Sequence, residues 1–256
     1  MPNTIESIYR YPIKGLSGES LDRIALSAGC VISGDREYAF ARSNITFDPA
    51  NPQHIEKKHF LSLVREKKLA ELKTKFNNTS KELSISRHGS VLIEVNLSSP
   101  RDCKRIDDFF LEYLNMPTTK QPHIVRAIDG TKKHSFSDVP DKAISLINLS
   151  SVVEFSKKVG VKVDPMRFRG NINFRNNASW EEFNWIDKKI TIGEAVLSIF
   201  KRTKRCAATN VNPFLAVRDI NIPKELNYHY RHMDMGVYAI VLKSGLIEVG
   251  DKMELI

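Results

Sequence analysis

Ile190-Thr191-Ile192-Gly193-Glu194-Ala195-Val196-Leu197-Ser198-Ile199-Phe200 reads as two short β-type runs meeting at a glycine turn. Outward from this stretch the same grammar recurs. Residues 171–174, 237–242, 246–249 and 252–255 are apolar or alternating runs, with Gly245 and Gly250 at turns. In the first half, residues 4–11, 20–26, 37–42, 82–86 and 91–95 have the same character, separated by Gly, Pro, Asn and Asp. The expected fold is mainly β, with a barrel or sandwich in each half.

Two segments break the two-residue period. Ile106, Phe109, Phe110, Tyr113 and Leu114 recur at three- and four-residue intervals, which predicts a helix from about residue 102 to Asn115 that covers a sheet. Val152, Val153, Phe155 and Val159 predict a second helix, with Ser150 or Ser151 as N-cap and Gly160 as the stop. The class is therefore α+β with flanking helices. Residues 118–141 are weakly patterned and Pro-flanked, which places a domain boundary near residue 120. Residues 1–120 are expected to form one β-barrel-like domain and 121–256 another.

The 256 residues carry 39 Lys and Arg against 30 Asp and Glu, a formal charge of +9 that favours an anionic partner. Cys30, Cys103 and Cys206 form no C-x-x-C pair, so neither a disulfide framework nor an iron–sulfur or zinc set is legible. The N-terminal residues lack the apolar core of a signal peptide, and no apolar stretch is long enough to span a bilayer. A cytoplasmic protein without a membrane span is expected.

Cys206 follows Lys201-Arg202-Thr203-Lys204-Arg205, and a cationic field favours the thiolate that ligates metals or attacks electrophiles. By itself the pattern reads first as a small buried residue closing a strand beside a solvated basic run. If the strand from Ala195 continues, Arg202, Lys204 and Cys206 share a face and Arg205 takes the other, whereas a turn just before Cys206 changes that assignment. Lys14 and Gly15, with Gly18, read either as a loop whose backbone can approach an anion closely or as a Gly-containing hairpin with a surface lysine. Arg36 follows the turn at Gly34-Asp35. Arg167, Arg169 and Asn171 alternate into a strand and are expected on one face, where guanidinium forks suit phosphates. His229 and His232 have helical i, i+3 spacing, without a third ligand nearby in sequence.

Taken in order, several of these segments resemble MOSC-family proteins that carry an N-terminal β-barrel domain, the group that includes the mitochondrial amidoxime-reducing component and its bacterial relatives. The resemblance rests on Tyr-Pro-Ile-Lys-Gly at 11–15, Gly-Asp-Arg at 34–36, Arg-Phe-Arg-Gly-Asn-Ile at 167–172 and Ile-Thr-Ile-Gly at 190–193. It continues through Arg-Cys-Ala-Ala-Thr-Asn-Val-Asn-Pro at 205–213 and Gly-Leu-Ile-Glu-Val-Gly-Asp at 245–251. It implies a molybdenum cofactor (Mo-molybdopterin) whose metal takes the Cys206 sulfur. It also implies cofactor contacts from Lys14, Gly15, Arg36, Arg169, Asn171, Lys204, Arg205 and Thr209.

The implied activity is two-electron reduction of a small N-oxygenated substrate, such as an N-hydroxylated amidine. No flavin, nicotinamide or iron–sulfur motif is visible, and the sequence stops just after Asp251 without a ferredoxin-like extension. Electrons are therefore expected from a separate ferredoxin, flavodoxin or other small redox protein. The sequence departs from the family pattern at Gly170, usually proline, and at Lys204, often a small residue. Two further readings within the family are a cofactor carrier or sulfur-transfer protein and a cofactor-free module. A basic nucleic-acid binder, using Tyr228 and Tyr230 near Lys224 and Arg231, has no accompanying signature.

Overall fold

The computed structural model describes residues 3–43, 45–49, 51–127 and 134–256. Residues 128–133, within the expected crossing between the halves, lie outside the described residues. The first half contributes β1 (Asn3–Arg10), β2 (Glu19–Leu21), β3 (Arg23–Leu26), β4 (Tyr38–Ala41), β5 (Lys73–Phe76), β6 (Glu82–Arg87) and β7 (Ser90–Asn96). Then follow α1 (Pro100–Tyr113), β8 (His123–Arg126), β9 (Ile144–Asn148), α2 (Leu149–Val159) and β10 (Ile172–Arg175). The chain ends with β11 (Lys189–Ile192), β12 (Ala195–Lys204), α3 (Ile222–Tyr230), β13 (Asp234–Lys243), β14 (Gly245–Glu248) and β15 (Lys252–Leu255).

The mainly β expectation holds. The principal sheet runs β10-β9-β13-β12-β11-β15-β1-β2, and pairing of β1 with β10 closes seven of these strands into a barrel. Closure removes the open edges between its two ends. The stretch that opened the sequence reading is the β11–β12 hairpin, with Ile192 opposite Ala195 across Gly193 and Glu194. Inward residues of this hairpin, Ile190, Ile192, Leu197 and Ile199, join Ile5, Ile8, Leu146, Phe174 and Trp185 in the barrel core. β1 and β2 come from the range expected for the N-terminal unit, yet they pair in this sheet.

Residues 38–126 add a β4–β8 ladder and a β5-β6-β7 meander. A second core lies beneath them, formed by Ile13, Leu16, Tyr38, Phe40, Leu83 and Ile85. α1 covers that core through buried Ile106 and Phe110, one helical turn apart. Its start is fixed by Ser99, whose side chain accepts from Asp102 N at 3.3 Å, and by Pro100 in the first turn.

β9 and β10 are parallel neighbours joined through α2, the one crossover unit of this kind among the described residues. Gly160 ends α2 in the left-handed conformation at φ 72°, as its sequence position predicts. The N-cap differs from expectation: Asn148, not Ser150 or Ser151, accepts from Ser150 N at 3.0 Å. The strand β9 therefore runs into the helix without an intervening turn.

Candidate functional site

One cavity of about 400 Å³ opens where the end of β12 meets loops from both halves of the chain. Lys14, Gly15, Arg36, Arg169, Asn171, Lys204, Arg205, Cys206 and Thr209 all line it. The sequence brings them together through five separate segments: the loop after β1, the turn before β4, the approach to β10, the end of β12 and the 3₁₀ turn that follows it.

Two local expectations are corrected. β12 stops at Lys204, and Cys206 is the extended residue that starts the 3₁₀ turn Ala207–Asn210, so Arg205 and Cys206 both line the cavity rather than taking opposite faces. Thr209 closes that turn, its hydroxyl donating to Cys206 O at 2.8 Å. Arg167 lies in a 3₁₀ turn and Arg169 has φ 51°, so the strand starts only at Ile172 and the alternation of faces does not apply. Arg167 instead holds Asp219 through two 2.7 Å contacts, while Arg169 donates to Leu16 O at 2.6 Å.

The wall behind the cavity is a layered polar cluster. Arg36 and Arg169 flank the Tyr11 ring, with guanidinium carbons 4.9 and 4.3 Å from its centroid. Arg36 also pairs with the buried Asp35 carboxylate, which accepts from Asn171 Nδ2 at 3.1 Å. Asn171 donates in addition to Tyr9 O at 3.2 Å, and its side-chain oxygen accepts from Ser145 N and Oγ at 3.2 and 3.0 Å. Its amide is thus used within the protein, tying β1, β9 and β10 together. Arg205 donates to Phe168 O at 2.9 Å and to Met235 O, leaving further N–H groups of its five for a ligand. Burial pulls the Arg169 and Arg205 guanidinium values down to about 10.

Around the opening the charge is one-sided. Nine lining residues are Lys or Arg, against the single carboxylate of Asp138. Lys14 is 7 % exposed and spends its charge on Asp138 at 2.5 Å and on Phe136 O at 2.8 Å. Burial pushes the Lys14 ammonium down from the usual lysine value, and Asp138 opposes that shift.

Residues 131–254 match the family model described as the MOSC domain. The chain carries a MOSC domain. That domain is associated in general with molybdenum cofactor binding. YiiM from Geobacillus stearothermophilus is 18% identical over 44% of this chain and 53% of its own, with a TM-score of 0.36. YuaD from Bacillus subtilis is 14% identical over 100% and 96%, with a TM-score of 0.46. YiiM from Escherichia coli is 14% identical over 44% and 53%, with a TM-score of 0.34. The chain thus spans about half the length of the YiiM proteins. No curated protein matches it.

Two further residues of the Cys206 cavity were not among the expected site residues. Lys57, from the polar loop between β4 and β5, lines the same cavity as Cys206 and lies 3.8 Å from Asp138 Oδ2. Burial opposes its charge, but Asp138 and the Cys206 sulfur together push the ammonium above the usual lysine value. Tyr238, on β13, presents its ring to the same space, and burial raises its phenol. Lys57 stands in a polar run of ordinary surface composition, and nothing local in the sequence marks its convergence on Cys206. Tyr230, considered for base stacking, is committed elsewhere: its hydroxyl contacts Glu154 at 3.2 Å and its ring packs 4.5 Å from Trp180. No helix among the described residues is long and apolar enough to cross a membrane.

Proposed function

We propose that the cavity binds molybdenum cofactor with Cys206 as its protein ligand, and that the chain reduces small N-oxygenated substrates with electrons from a separate redox protein. The observation that carries this reading is the position of Cys206 inside a cavity lined by nine basic residues and one acid. The donor set fits the group. A thiolate is a soft ligand suited to molybdenum, and guanidinium and ammonium groups suit the pterin's phosphate and dithiolene anions.

When bound, the cofactor supplies two-electron oxygen-atom chemistry that the amino acids lack. The chain's own contribution is placement and charge. The 3₁₀ turn closed by Thr209 fixes the backbone of Cys206, so its sulfur enters the cavity from one direction. Lys57, in the same lining, adds a positive charge to the cavity that holds Cys206. Lys201, Arg202 and Lys204 are exposed along the terminal half of β12 and are the cations best placed to draw an anion to the opening. Arg169 and Arg205, anchored on carbonyls, hold their remaining N–H groups at set positions.

The test compares molybdenum and pterin content of wild-type and Cys206→Ser protein, purified from a host that makes the cofactor. The serine oxygen is a harder donor, so metal is expected to fall well below one equivalent in the variant; equal metal in both proteins sinks the ligand assignment. Reconstitution with ferredoxin or flavodoxin and a reductase is expected to support benzamidoxime reduction. Full cofactor content without turnover under any donor chain would instead assign a carrier or sulfur-transfer role.

A further inference from the structure

Beside the main cavity lies a second, smaller one of about 110 Å³. It shares Gly15, Leu63 and Arg169 with the main cavity, so the two adjoin across that short wall. Its lining differs in kind. Leu16, Leu69, Leu72 and Val211 are buried, Met166 and Pro213 complete the apolar surface, and the Tyr11 ring forms one side. At the rim stands Phe214, 59 % exposed, with Lys73 Nζ 5.3 Å from its ring centroid and 3.4 Å from Pro213 O. A largely apolar hollow of this size class, edged by Ser17, Lys73 and Arg169, accepts one aromatic ring or a short branched alkyl group.

We propose that this side cavity is a binding subsite for an apolar group, an aryl ring or branched alkyl, on the ligand whose polar end occupies the main cavity. The proposal rests on the functional reading above only for naming that ligand as an N-hydroxylated substrate; the cavity and its continuity stand without it. The two compartments divide recognition between them. The basic compartment takes the polar, reacting end, and the apolar compartment rewards a hydrophobic body, which sets specificity among compounds with the same reactive group.

Two measurements on the cofactor-loaded protein test this. The first is reduction of benzamidoxime against acetamidoxime. The second is saturation-transfer NMR with toluene, which cannot react. Wild-type protein is expected to favour benzamidoxime by about tenfold or more in kcat/KM, the worth of burying one ring, and to transfer magnetisation to toluene. Ala70→Phe, which places a ring in the cavity, is expected to erase both the preference and the toluene signal. Phe214→Ser, at the exposed rim, is expected to reduce both by a few-fold. Unchanged preference and unchanged toluene signal in both variants overturn the proposal. If neither amidoxime is reduced, the functional reading fails, while the toluene signal and its loss in Ala70→Phe still decide whether the subsite exists.

Discussion

At position 170 a side chain has nowhere to go. An added Cβ would sit 2.3 Å from Ile147 Cγ1, in the buried layer between β9 and the cavity wall. Gly236 meets the same isoleucine, where a Cβ would lie 2.7 Å from Ile147 Cδ1 and 2.2 Å from Leu146 O. The departure from proline at 170 is therefore a packing solution in which Ile147 fills the space that two glycines leave. Gly170→Ala is expected to cost about 1–3 kcal/mol through overpacking. Combined with Ile147→Ala it should cost less than the sum of the two single changes, because the second removes the clash created by the first. Urea denaturation of the four proteins checks this, and strict additivity would refute the steric account. Lys57 supplies a second residue-scale expectation: Lys57→Met lowers pterin and molybdenum retention several-fold, while Lys57→Arg preserves most of it, as read by metal analysis and pterin fluorescence.

The nine residues that the sequence marked for the site do converge on one cavity, because each sits at the end of a strand or in a turn whose character was readable. What the sequence did not show is how each guanidinium and amide is spent. Asn171 is bound on all sides by Ser145, Tyr9 and Asp35, and Gly18 is small because a Cβ there would lie 2.6 Å from the Tyr11 ring. Such roles depend on neighbours far away in the chain.

Among the elements, α2 begins on a buried carboxylate. Glu182 is fully buried and accepts from Asn148 Nδ2 at 2.9 Å and from Ser151 Oγ at 2.9 and 3.0 Å. Burial pushes its carboxyl up from 4.5 to about 7. Because the folded pKa is raised, the folded state holds the extra proton between these two values. Stability therefore falls as pH rises across that window, and the full penalty is present above about pH 7. The shift corresponds to about 3 kcal/mol at most. Glu182→Gln keeps an acceptor for Asn148 and should narrow the stability difference between pH 5 and pH 8. Equal slopes for wild type and variant in urea titrations would contradict this.

Legibility at this scale followed periodicity. The amphipathic spacing of α1 and the glycine stop of α2 were plain, whereas β9 was missed because Ile144–Asn148 is buried throughout and passes straight into a helix. A strand covered on both faces shows no alternation. β5, only four residues of Lys-Thr-Lys-Phe, was too short and polar to stand out.

For the molecule as a whole, β1 joins what sequence order separates. It pairs with β10 and β15 to close the barrel, then delivers Tyr11 and Lys14 to the site. A fragment of residues 134–256 retains β10 and β15 but loses their shared neighbour, leaving two unpaired strand edges. Such a fragment is expected to aggregate or lack fixed tertiary structure by size exclusion and near-UV circular dichroism, and a well-behaved folded monomer would show that β1 is dispensable. The strand content and the basic character were visible beforehand. The partnership of first and last strands was not, since pairing between distant segments leaves no local mark.

That pairing also sets a timetable during synthesis. β1 leaves the ribosome early, but its neighbour β15 lies at Lys252–Leu255. At ordinary elongation rates the wait lasts roughly tens of seconds. Through that interval β1 can pair with the nearby β2 and, once residues 172–175 are made, with β10, but its ladder with β15 stays open. Loading of a ligand therefore follows synthesis of Cys206 and Tyr238, which complete the cavity lining.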